Sequence, residues 1–195
     1  SDNGPEGSAA SGEGSSGGLR GRKRSLYEGG VRVPSVLRWP GQLSPGVSQA
    51  FVTAQDVLPT LMQAAGRAPM IPDDLDGRGR WRAITNPKAA VPGTVPDYRV
   101  EGLGDVALLR PPWKLVVVPT GFFSDPEYEL YDVYADPGET TNLAAVHPER
   151  VATLRAALDA WPLGESIHVP LWRVALDPDR FGGPEDREPW ADVAK

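Results

Sequence analysis

Four cationic side chains lie within five positions of a chain that is otherwise acidic. They are Arg20, Arg22, Lys23 and Arg24, in a protein of net charge -6 at pH 7. Such a concentration of positive charge suits a small anion, one sulfate or phosphate group. A nucleic acid would meet a repulsive field outside this patch, so nucleic-acid binding is disfavoured. A solvated basic loop without a ligand is the alternative explanation of the charge.

A second stretch with ligand chemistry is Ser1-Asp2-Asn3-Gly4. Asp2 and Asn3 place a carboxylate and an amide oxygen side by side, and hard cations such as calcium or magnesium prefer oxygen donors of this kind. Asp-Asn-Gly is also a common turn tripeptide, so the stretch by itself is more typical of a simple turn. The metal interpretation therefore depends on the rest of the sequence.

Taken together and in this order, the two stretches resemble the carboxy-terminal part of the catalytic domain of type I sulfatases, members of the alkaline-phosphatase superfamily. Tyr27-Glu28-Gly29-Gly30, which follows the cations, belongs to the same family pattern. Further landmarks follow in the family's order: 38–41, 56–61, 64–66, 75–77, 113–115 and 129–143. The likeness covers residues 1 to 161 and depends on the whole series of motifs.

The resemblance implies particular functions for three residues. Asp2 and Asn3 match two ligands of the active-site divalent cation, usually calcium. Lys23 matches the lysine that binds the sulfate group and stabilises charge as the ester oxygen leaves. We therefore expect Lys23 to be both a catalytic and a substrate-binding residue.

The neighbours of Lys23 have weaker counterparts in the family pattern. Glu28 to Gly30 match the turn that positions the lysine, which implies a supporting function, and the paired glycines are expected to allow that turn. Arg22 and Arg24 stand where the family often has small residues. They would alter the mouth of the site, and we assign them no catalytic function.

The implied activity is hydrolysis of a small-molecule or glycan sulfate ester through a metal-assisted formylglycine mechanism. The family makes formylglycine from Cys or Ser in a Cys/Ser-x-Pro-x-Arg motif, but this chain has no cysteine. Its nearest serine match, 124–128, ends in Tyr128 and is predicted to be a turn. His147 and His168 are expected to be structural or exposed. The resemblance thus implies a downstream fragment of a longer enzyme, inactive without an upstream nucleophile.

Two other functions stay open. A phosphodiesterase or phosphonate hydrolase of the same superfamily would also use Asp, Asn and Lys around an anion, and a non-catalytic module would bind an anion or glycan without hydrolysing it. The absence of cysteine excludes disulfides and thiolate metal sites. The sequence has no visible membrane span, and the family resemblance favours a periplasmic or secreted location over a cytoplasmic one.

The elements that must position these residues predict an α/β protein. The resemblance implies the C-terminal part of an alkaline-phosphatase-like sandwich with a smaller antiparallel sheet and helix subdomain. The expected domains are part of the catalytic core at 1–97, the sheet and helix subdomain at 98–161, and a Pro-rich wrapping tail at 162–195. A Gly/Ser-rich loop is expected between Glu6 and Gly18.

Hydrophobic patterns predict the individual elements. Residues 31–39 suit a strand buried on both faces of a mostly parallel sheet. Runs at 105–110, 113–118 and 129–133 suit an antiparallel meander covered by an amphipathic helix that starts at Pro148. A core helix is expected after an Asp56 N-cap, with Asp73, Asp74 and Asp76 in a solvated loop beyond it. The apolar face expected for that helix is Val57, Leu58, Leu61, Met62 and Ala65.

Overall fold

The computed structural model describes residues 1–6, 14–86, 97–101, 105–120 and 125–161. Within these ranges there are four helices, α1 (Glu28–Val31), α2 (Val57–Ala64), α3 (Trp81–Thr85) and α4 (Pro148–Asp159), and short 3-10 turns at Ala54–Asp56 and Ala68–Met70. The four strands are β1 (Tyr98–Glu101), β2 (Val106–Arg110), β3 (Trp113–Val118) and β4 (Glu127–Asp132). None of the helices in these ranges has the length and hydrophobicity needed to cross a membrane.

The chain divides into two compact units. One consists of Ser1–Pro34 and Pro96–Lys195, and the other of Ser35–Val95. The first unit therefore groups the Asp2-Asn3 stretch and the cationic stretch with the sheet. The domain boundaries at 97/98 and 161/162 stay predictions, since the described residues end at 161.

A four-stranded antiparallel sheet in the order β1-β2-β3-β4 is the centre of the first unit. Leu108 pairs with Leu115, and Leu115 pairs with Leu130, so three leucines line up across neighbouring strands on one face. Leu154 of α4 completes this buried cluster. The predicted meander and its covering helix are confirmed, and each buried leucine contributes about 1.5–3 kcal/mol of transfer free energy.

The opposite face of the sheet carries a different set of side chains. Side chains alternate along a strand, so Lys114 and Tyr131, the neighbours of Leu115 and Leu130, point away from α4. The register places Lys114 directly opposite Tyr131 on the adjacent strand. Both side chains bind the segment 20–32, so α4 and this segment lie against opposite faces of the sheet.

The predicted strand at 31–39 is wrong. Val31 ends helix α1, and residues 32–39 form no strand and no helix. Val36 is 92% exposed and Trp39 is 40% exposed. A strand of this composition needs sheet partners on both sides to satisfy its backbone, and no strand of the described ranges pairs with it.

Helix α2 exists where it was predicted, but it buries the other face. Val57, Leu58 and Leu61, expected in the core, are 49%, 56% and 49% exposed, whereas Pro59 and Thr60 are buried. The predicted core face is therefore wrong.

The physical reason is a set of hydrogen bonds along the polar side of α2. Asp56 accepts from the Arg78 N–H at 2.8 Å, Thr60 from the Arg80 N–H at 2.9 Å, and Gln63 from the Trp81 N–H at 3.2 Å. Positions 56, 60 and 63 share one side of a helix. The loop at 78–81 covers that side and leaves the apolar side exposed. Asp56 also accepts from the Thr53 N–H, so it closes the preceding 3-10 turn instead of capping α2.

Several other predictions can be placed. Asp73, Asp74 and Asp76 are exposed, as expected for a solvated loop. His147 lies edge-on to Trp113 with ring centroids 5.6 Å apart, in agreement with a structural function. The central part of the Gly/Ser-rich loop at 7–13, Ser124, His168 and the tail at 162–195 lie outside the described residues.

Candidate anion and metal site around Lys23

The structure brings residues 20–29, called here the Lys23 turn, alongside the Asp2-Asn3 stretch. The Lys23 N–H donates to the Pro5 carbonyl oxygen at 3.1 Å, and the Gly4 N–H donates to the Gly30 carbonyl oxygen at 2.9 Å. These two bonds hold together the segments on either side of the Gly/Ser-rich stretch of the sequence. The backbone of the predicted sulfate-binding lysine is thus fixed two residues from Asn3. The functions assigned to Lys23, Asp2 and Asn3 stay predictions.

Close backbone contact explains the glycines of this site. A Cβ on Gly4 would overlap the Gly29 carbonyl oxygen. A Cβ on Gly29 would lie 2.5 Å from the Arg20 carbonyl oxygen, and a Cβ on Gly30 would lie 2.5 Å from the Arg22 carbonyl oxygen. Gly29 and Gly30 belong to α1 and were expected to serve a turn. Their function is to let three backbone segments approach without side chains between them.

Lys23 already binds a carboxylate in the structure. Its Nζ lies 2.8 Å from Oε2 of Glu6, and Nη1 of Arg24 lies 2.6 Å from Oε1 of the same residue. Hydrogen bonds from Lys23 and Arg24 lower the pKa of Glu6 below its usual value. Arg24 reaches this position with φ 72, in the left-handed region that non-glycine residues seldom adopt. The two cations therefore converge on one carboxylate, that of Glu6.

Asp2 and Asn3 are accessible and lie close together. Asp2 is exposed and Asn3 is half-buried, and the Asn3 Nδ2 donates to Asp2 Oδ1 at 3.3 Å. A carboxylate and an amide carbonyl are suitable donors for calcium, which takes about six to eight oxygen ligands. In the ranges that the structure describes, no group of three or more His, Cys, Asp or Glu side chains could hold a metal ion. The pair fits a calcium site as a part of its ligand shell.

A buried ion triad attaches the part of the segment 20–32 that follows Lys23 to the sheet. Lys114 Nζ lies 3.0 Å from Glu28 Oε1 and 2.9 Å from Glu139 Oε1, and the Lys114 residue is only 1% exposed. The second oxygen of Glu139 accepts the Glu28 backbone N–H at 2.6 Å. Removing one partner of such a buried pair typically costs about 3–5 kcal/mol, because the other charge stays buried without compensation.

The backbone conformation of Glu139 and the pKa of its carboxyl both reflect the surrounding structure. Its φ is 50, in the left-handed region, and the residue is 2% exposed. Burial raises the pKa of Glu139 above its usual value, although the Lys114 ammonium opposes this change. A strained residue of this kind persists where the surrounding structure determines it, here the contacts with Lys114 and Glu28.

A cluster of aromatic and acidic side chains attaches the N-terminal end of the same segment, at Arg20, to the sheet. The Arg20 guanidinium stacks 3.7 Å from the Tyr27 ring centroid and donates to the Tyr131 hydroxyl at 2.6 Å. Oε2 of Glu129 accepts from the hydroxyls of Tyr27 and Tyr131 at 2.6 and 2.8 Å. Burial, together with the hydrogen bond to Glu129, raises the pKa of Tyr131 to about 12 and raises the pKa of Tyr27 further.

Little in the amino-acid sequence indicates these supporting residues. Lys114 stands inside the apolar run of β3, where a buried cation requires a carboxylate partner. That position is a signal, but the partner Glu28 is 86 positions away and cannot be identified without the fold. Arg20 was grouped with the anion-binding cations, whereas its guanidinium binds the protein itself.

Comparison with known proteins shows that this chain is similar to sulfatases. A family model described as Sulfatase matches residues 1–67, which include Asp2, Asn3 and Lys23. Arylsulfatase A of Homo sapiens is 33% identical over 189 residues, covering 82% of this chain and 37% of the relative. An N-acetylgalactosamine-6-O-sulfatase of Bacteroides thetaiotaomicron is 29% identical over 155 residues, covering 72% of this chain and 29% of the relative.

A solved structure gives the same result for the fold. It is described as a 6S-sulf protein in the metabolism of multiple glycosaminoglycans by Bacteroides thetaiotaomicron. It matches with a TM-score of 0.59 and 26% identity, covering 74% of this chain and 32% of that chain. The predicted α/β fold class is thereby confirmed. This chain spans only about a third of the length of the relatives described above, 37% and 29%.

Proposed function

The chain belongs to the sulfatase family, and from this premise we propose that the protein hydrolyses sulfate monoesters, with Lys23 binding the sulfate group. Asp2 and Asn3 serve as ligands of a divalent cation, calcium, beside it. One observation carries this proposal. The Lys23 turn is hydrogen-bonded to the Asp2-Asn3 stretch, and its ammonium lies 2.8 Å from a carboxylate oxygen, the kind of partner that a sulfate oxygen replaces.

The chemistry of Lys23 follows from charge. Sulfate esters react slowly until the negative charge that develops on their oxygens in the transition state is stabilised. Removing a fixed ammonium that faces this charge typically lowers the rate by roughly 10²- to 10³-fold. A bound divalent cation supplies further neutralisation as a Lewis acid. Lys23 is well placed for the first function because its backbone is fixed while its side chain is 38% exposed and accessible to an ester.

The nucleophile of the proposed reaction is not among these residues. Family membership is consistent with a formylglycine, but the chain contains no cysteine. In the nearest serine match, Tyr128 occupies the place of the arginine and belongs to β4. We therefore assign to this chain the binding and orientation of the sulfate group and part of the metal site. We propose a periplasmic or secreted location on the same basis.

The substrate of the proposed reaction is a small-molecule or glycan sulfate ester. The relatives carry names as different as arylsulfatase A, steryl-sulfatase and N-acetylgalactosamine-6-O-sulfatase. The alcohol part therefore varies among them, while the sulfate group is common to all. An aryl sulfate is the appropriate first probe, because it reports on the common group and little else.

The proposal is tested with protein expressed from its complete reading frame. We measure kcat/KM on 4-nitrophenyl sulfate and, as matched probes, on bis(4-nitrophenyl) phosphate and an aryl phosphonate. Preference for the sulfate is the expected result. Preference for either phosphorus ester would instead identify a phosphodiesterase or phosphonate hydrolase. Inorganic sulfate binding without hydrolysis of any ester would identify a non-catalytic module.

A further inference from the structure

We propose that Lys114 and Tyr131 are positioning residues that hold the Lys23 turn in the geometry needed to bind a sulfate group. The inference rests on the function proposed for Lys23 and extends it to two residues of the sheet. Neither side chain touches the candidate site. Each acts through an intermediary, Lys114 through Glu28 and Tyr131 through Arg20.

The first step of the argument is the position of the two contacts along the chain. Arg20 precedes Lys23 by three residues, and Glu28 follows it by five. The side chains of Arg20 and Glu28 bind the sheet, while Lys23 between them faces Glu6. The turn is therefore fixed at both ends and accessible in the middle, an arrangement that orders a ligand-binding lysine in advance of the ligand.

The second step is the origin of the two contacts in the sheet. Lys114 and Tyr131 are direct cross-strand partners of β3 and β4. They stand side by side on the face that α4 does not cover. Two separate networks, one ionic and one aromatic, thus hold the segment against a single rigid pair of strands. A change in either network would move the ends of the turn relative to the sheet.

The third step is the internal bracing of the segment. The Gly29 N–H donates to the Arg20 carbonyl oxygen at 2.6 Å, so the two ends of the turn are also bonded to each other. Glu139 accepts the Glu28 N–H and contacts Lys114, which joins the backbone of the segment to the ionic network. The Lys23 turn, its two ends and the sheet form one connected set of contacts. The positioning function follows from this connection.

The principal test uses Tyr131→Phe in the protein expressed from its complete reading frame. The substitution keeps the ring and removes the hydroxyl that accepts from Arg20 and donates to Glu129, while the direct Arg20–Glu129 ion pair at 3.4 Å remains. We expect the Kd for inorganic sulfate, measured by calorimetry, to rise about tenfold, the size of a lost hydrogen bond to a charged group. The kcat/KM on 4-nitrophenyl sulfate should fall by a similar factor. Backbone amide exchange in residues 19–32 should become faster.

Leu130→Val is the matched control. Leu130 neighbours Tyr131 on the same strand, but it packs in the cluster with Leu154 on the opposite face. The control should lower the thermal midpoint while leaving the sulfate Kd, kcat/KM and amide exchange of 19–32 unchanged. A merely structural function of Tyr131 would make the two variants behave alike, and that result would overturn the proposal.

The ionic contact is tested by rescue. Lys114→Met leaves two buried carboxylates, those of Glu28 and Glu139, without their shared cation, and Arg32 remains 3.8 Å from Glu28. We expect a larger loss of sulfate affinity than in Tyr131→Phe. Adding Glu139→Gln removes one of the opposed charges and keeps an oxygen that accepts the Glu28 N–H. The double variant should recover part of the sulfate affinity.

The outcomes separate this inference from the function on which it rests. If the wild-type protein hydrolyses no sulfate ester, the proposed function fails, and weaker sulfate binding with faster exchange in the variants still supports the positioning function. If exchange in 19–32 becomes faster while sulfate affinity and kcat/KM stay at wild-type values, the positioning function is overturned. Unchanged amide exchange in Tyr131→Phe, in Lys114→Met and in the double variant overturns it as well.

Discussion

The backbone N–H of Lys23 donates a hydrogen bond of 3.1 Å to the carbonyl oxygen of Pro5. This bond joins the cationic turn to the residue that follows Ser1-Asp2-Asn3-Gly4, although 17 residues of sequence separate Pro5 from Lys23. The backbone of Lys23 is therefore fixed two residues from Asn3, which supports the proposal that an anion at Lys23 lies near the metal ligands. From the proposed function we expect sulfate binding to depend on the ammonium of Lys23 more than on the total charge of the turn.

Lys23→Ala tests that dependence directly. We expect kcat/KM on an aryl sulfate to fall about 10²- to 10³-fold, since a charged contact to the developing oxyanion is lost. The free energy of unfolding should change by less than about 0.5 kcal/mol, as is usual at exposed positions. Steady-state kinetics and urea unfolding measure the two effects. Arg22→Ala, an exposed cation of the same turn, is the control and should lose only a few-fold in rate. Equal losses in both variants would contradict the assignment to Lys23.

Chelation tests the metal ligands. EGTA should abolish hydrolysis of an aryl sulfate, and added calcium should restore it. Asp2→Ala should raise the calcium concentration required for half-maximal activity by more than about tenfold, because a charged oxygen ligand of a hard cation is lost. Asp73→Ala, an exposed carboxylate outside the site, serves as the control. Full activity in EGTA, or an unchanged calcium requirement in Asp2→Ala, would exclude the proposed ligand.

Glu6→Gln tests the carboxylate that now pairs with Lys23. Glu6 competes with an incoming anion for Lys23 and Arg24, and the hydrogen bonds that lower its pKa keep it ionised at neutral pH. The neutral variant should bind inorganic sulfate about two- to fivefold more tightly at low ionic strength, the modest size expected for exposed ion pairs. The difference should shrink at high salt, where exposed charges are screened. Weaker sulfate binding by the variant would show that Glu6 supports the anion site.

The sequence predicted the parts of the fold that local patterns determine. The β-rich runs of β2, β3 and β4 and the apolar stripe of α4 pack together within one unit, as predicted. Helix α2 was predicted at the right place but with the wrong buried face, because its apolar stripe competed with polar side chains at 56, 60 and 63. Only the fold shows that the N–H groups at 78–81 bind those side chains.

The candidate site was predictable to a similar extent. The family resemblance predicted that Lys23 acts together with Asp2 and Asn3. The structure bonds the Lys23 N–H to the carbonyl oxygen of Pro5, two residues after Asn3, and the joint function of the three side chains stays a prediction. The support from Lys114 was not predictable, because its ion pair with Glu28 joins residues 86 positions apart and leaves no periodic signal in the sequence. The predicted strand at 31–39 is absent for a related reason. Its apolar composition indicates burial, but a strand also needs neighbouring strands to pair with, and the composition does not indicate those.

Alkaline unfolding reports on the cluster at the N-terminal end of the segment 20–32. The pKa of Tyr131 is raised from 10.0 to about 12 in the folded protein. The folded state therefore keeps a proton that the unfolded state releases, and the stabilisation is fully present below pH 10.0 and is lost as pH rises through about 12. Tyr131→Phe should flatten the fall of the thermal midpoint over this range, as measured by circular dichroism. An equally steep fall in the variant would mean that Tyr131 does not titrate in this window.

Gly4→Ala tests the close packing beneath the site. The added Cβ would overlap the Gly29 carbonyl oxygen and push the Asp2-Asn3 stretch away from the Lys23 turn. We expect a loss of about 1–3 kcal/mol in the free energy of unfolding, the usual cost of overpacking, together with weaker calcium and sulfate binding. Gly46→Ala is the matched control, because nothing lies within 4 Å of the Cβ position at Gly46. Urea unfolding and calorimetry of both variants measure the difference. If Gly4→Ala and Gly46→Ala were equally stable, the Asp2-Asn3 stretch would not lie against Gly29, and the site would need a different geometry.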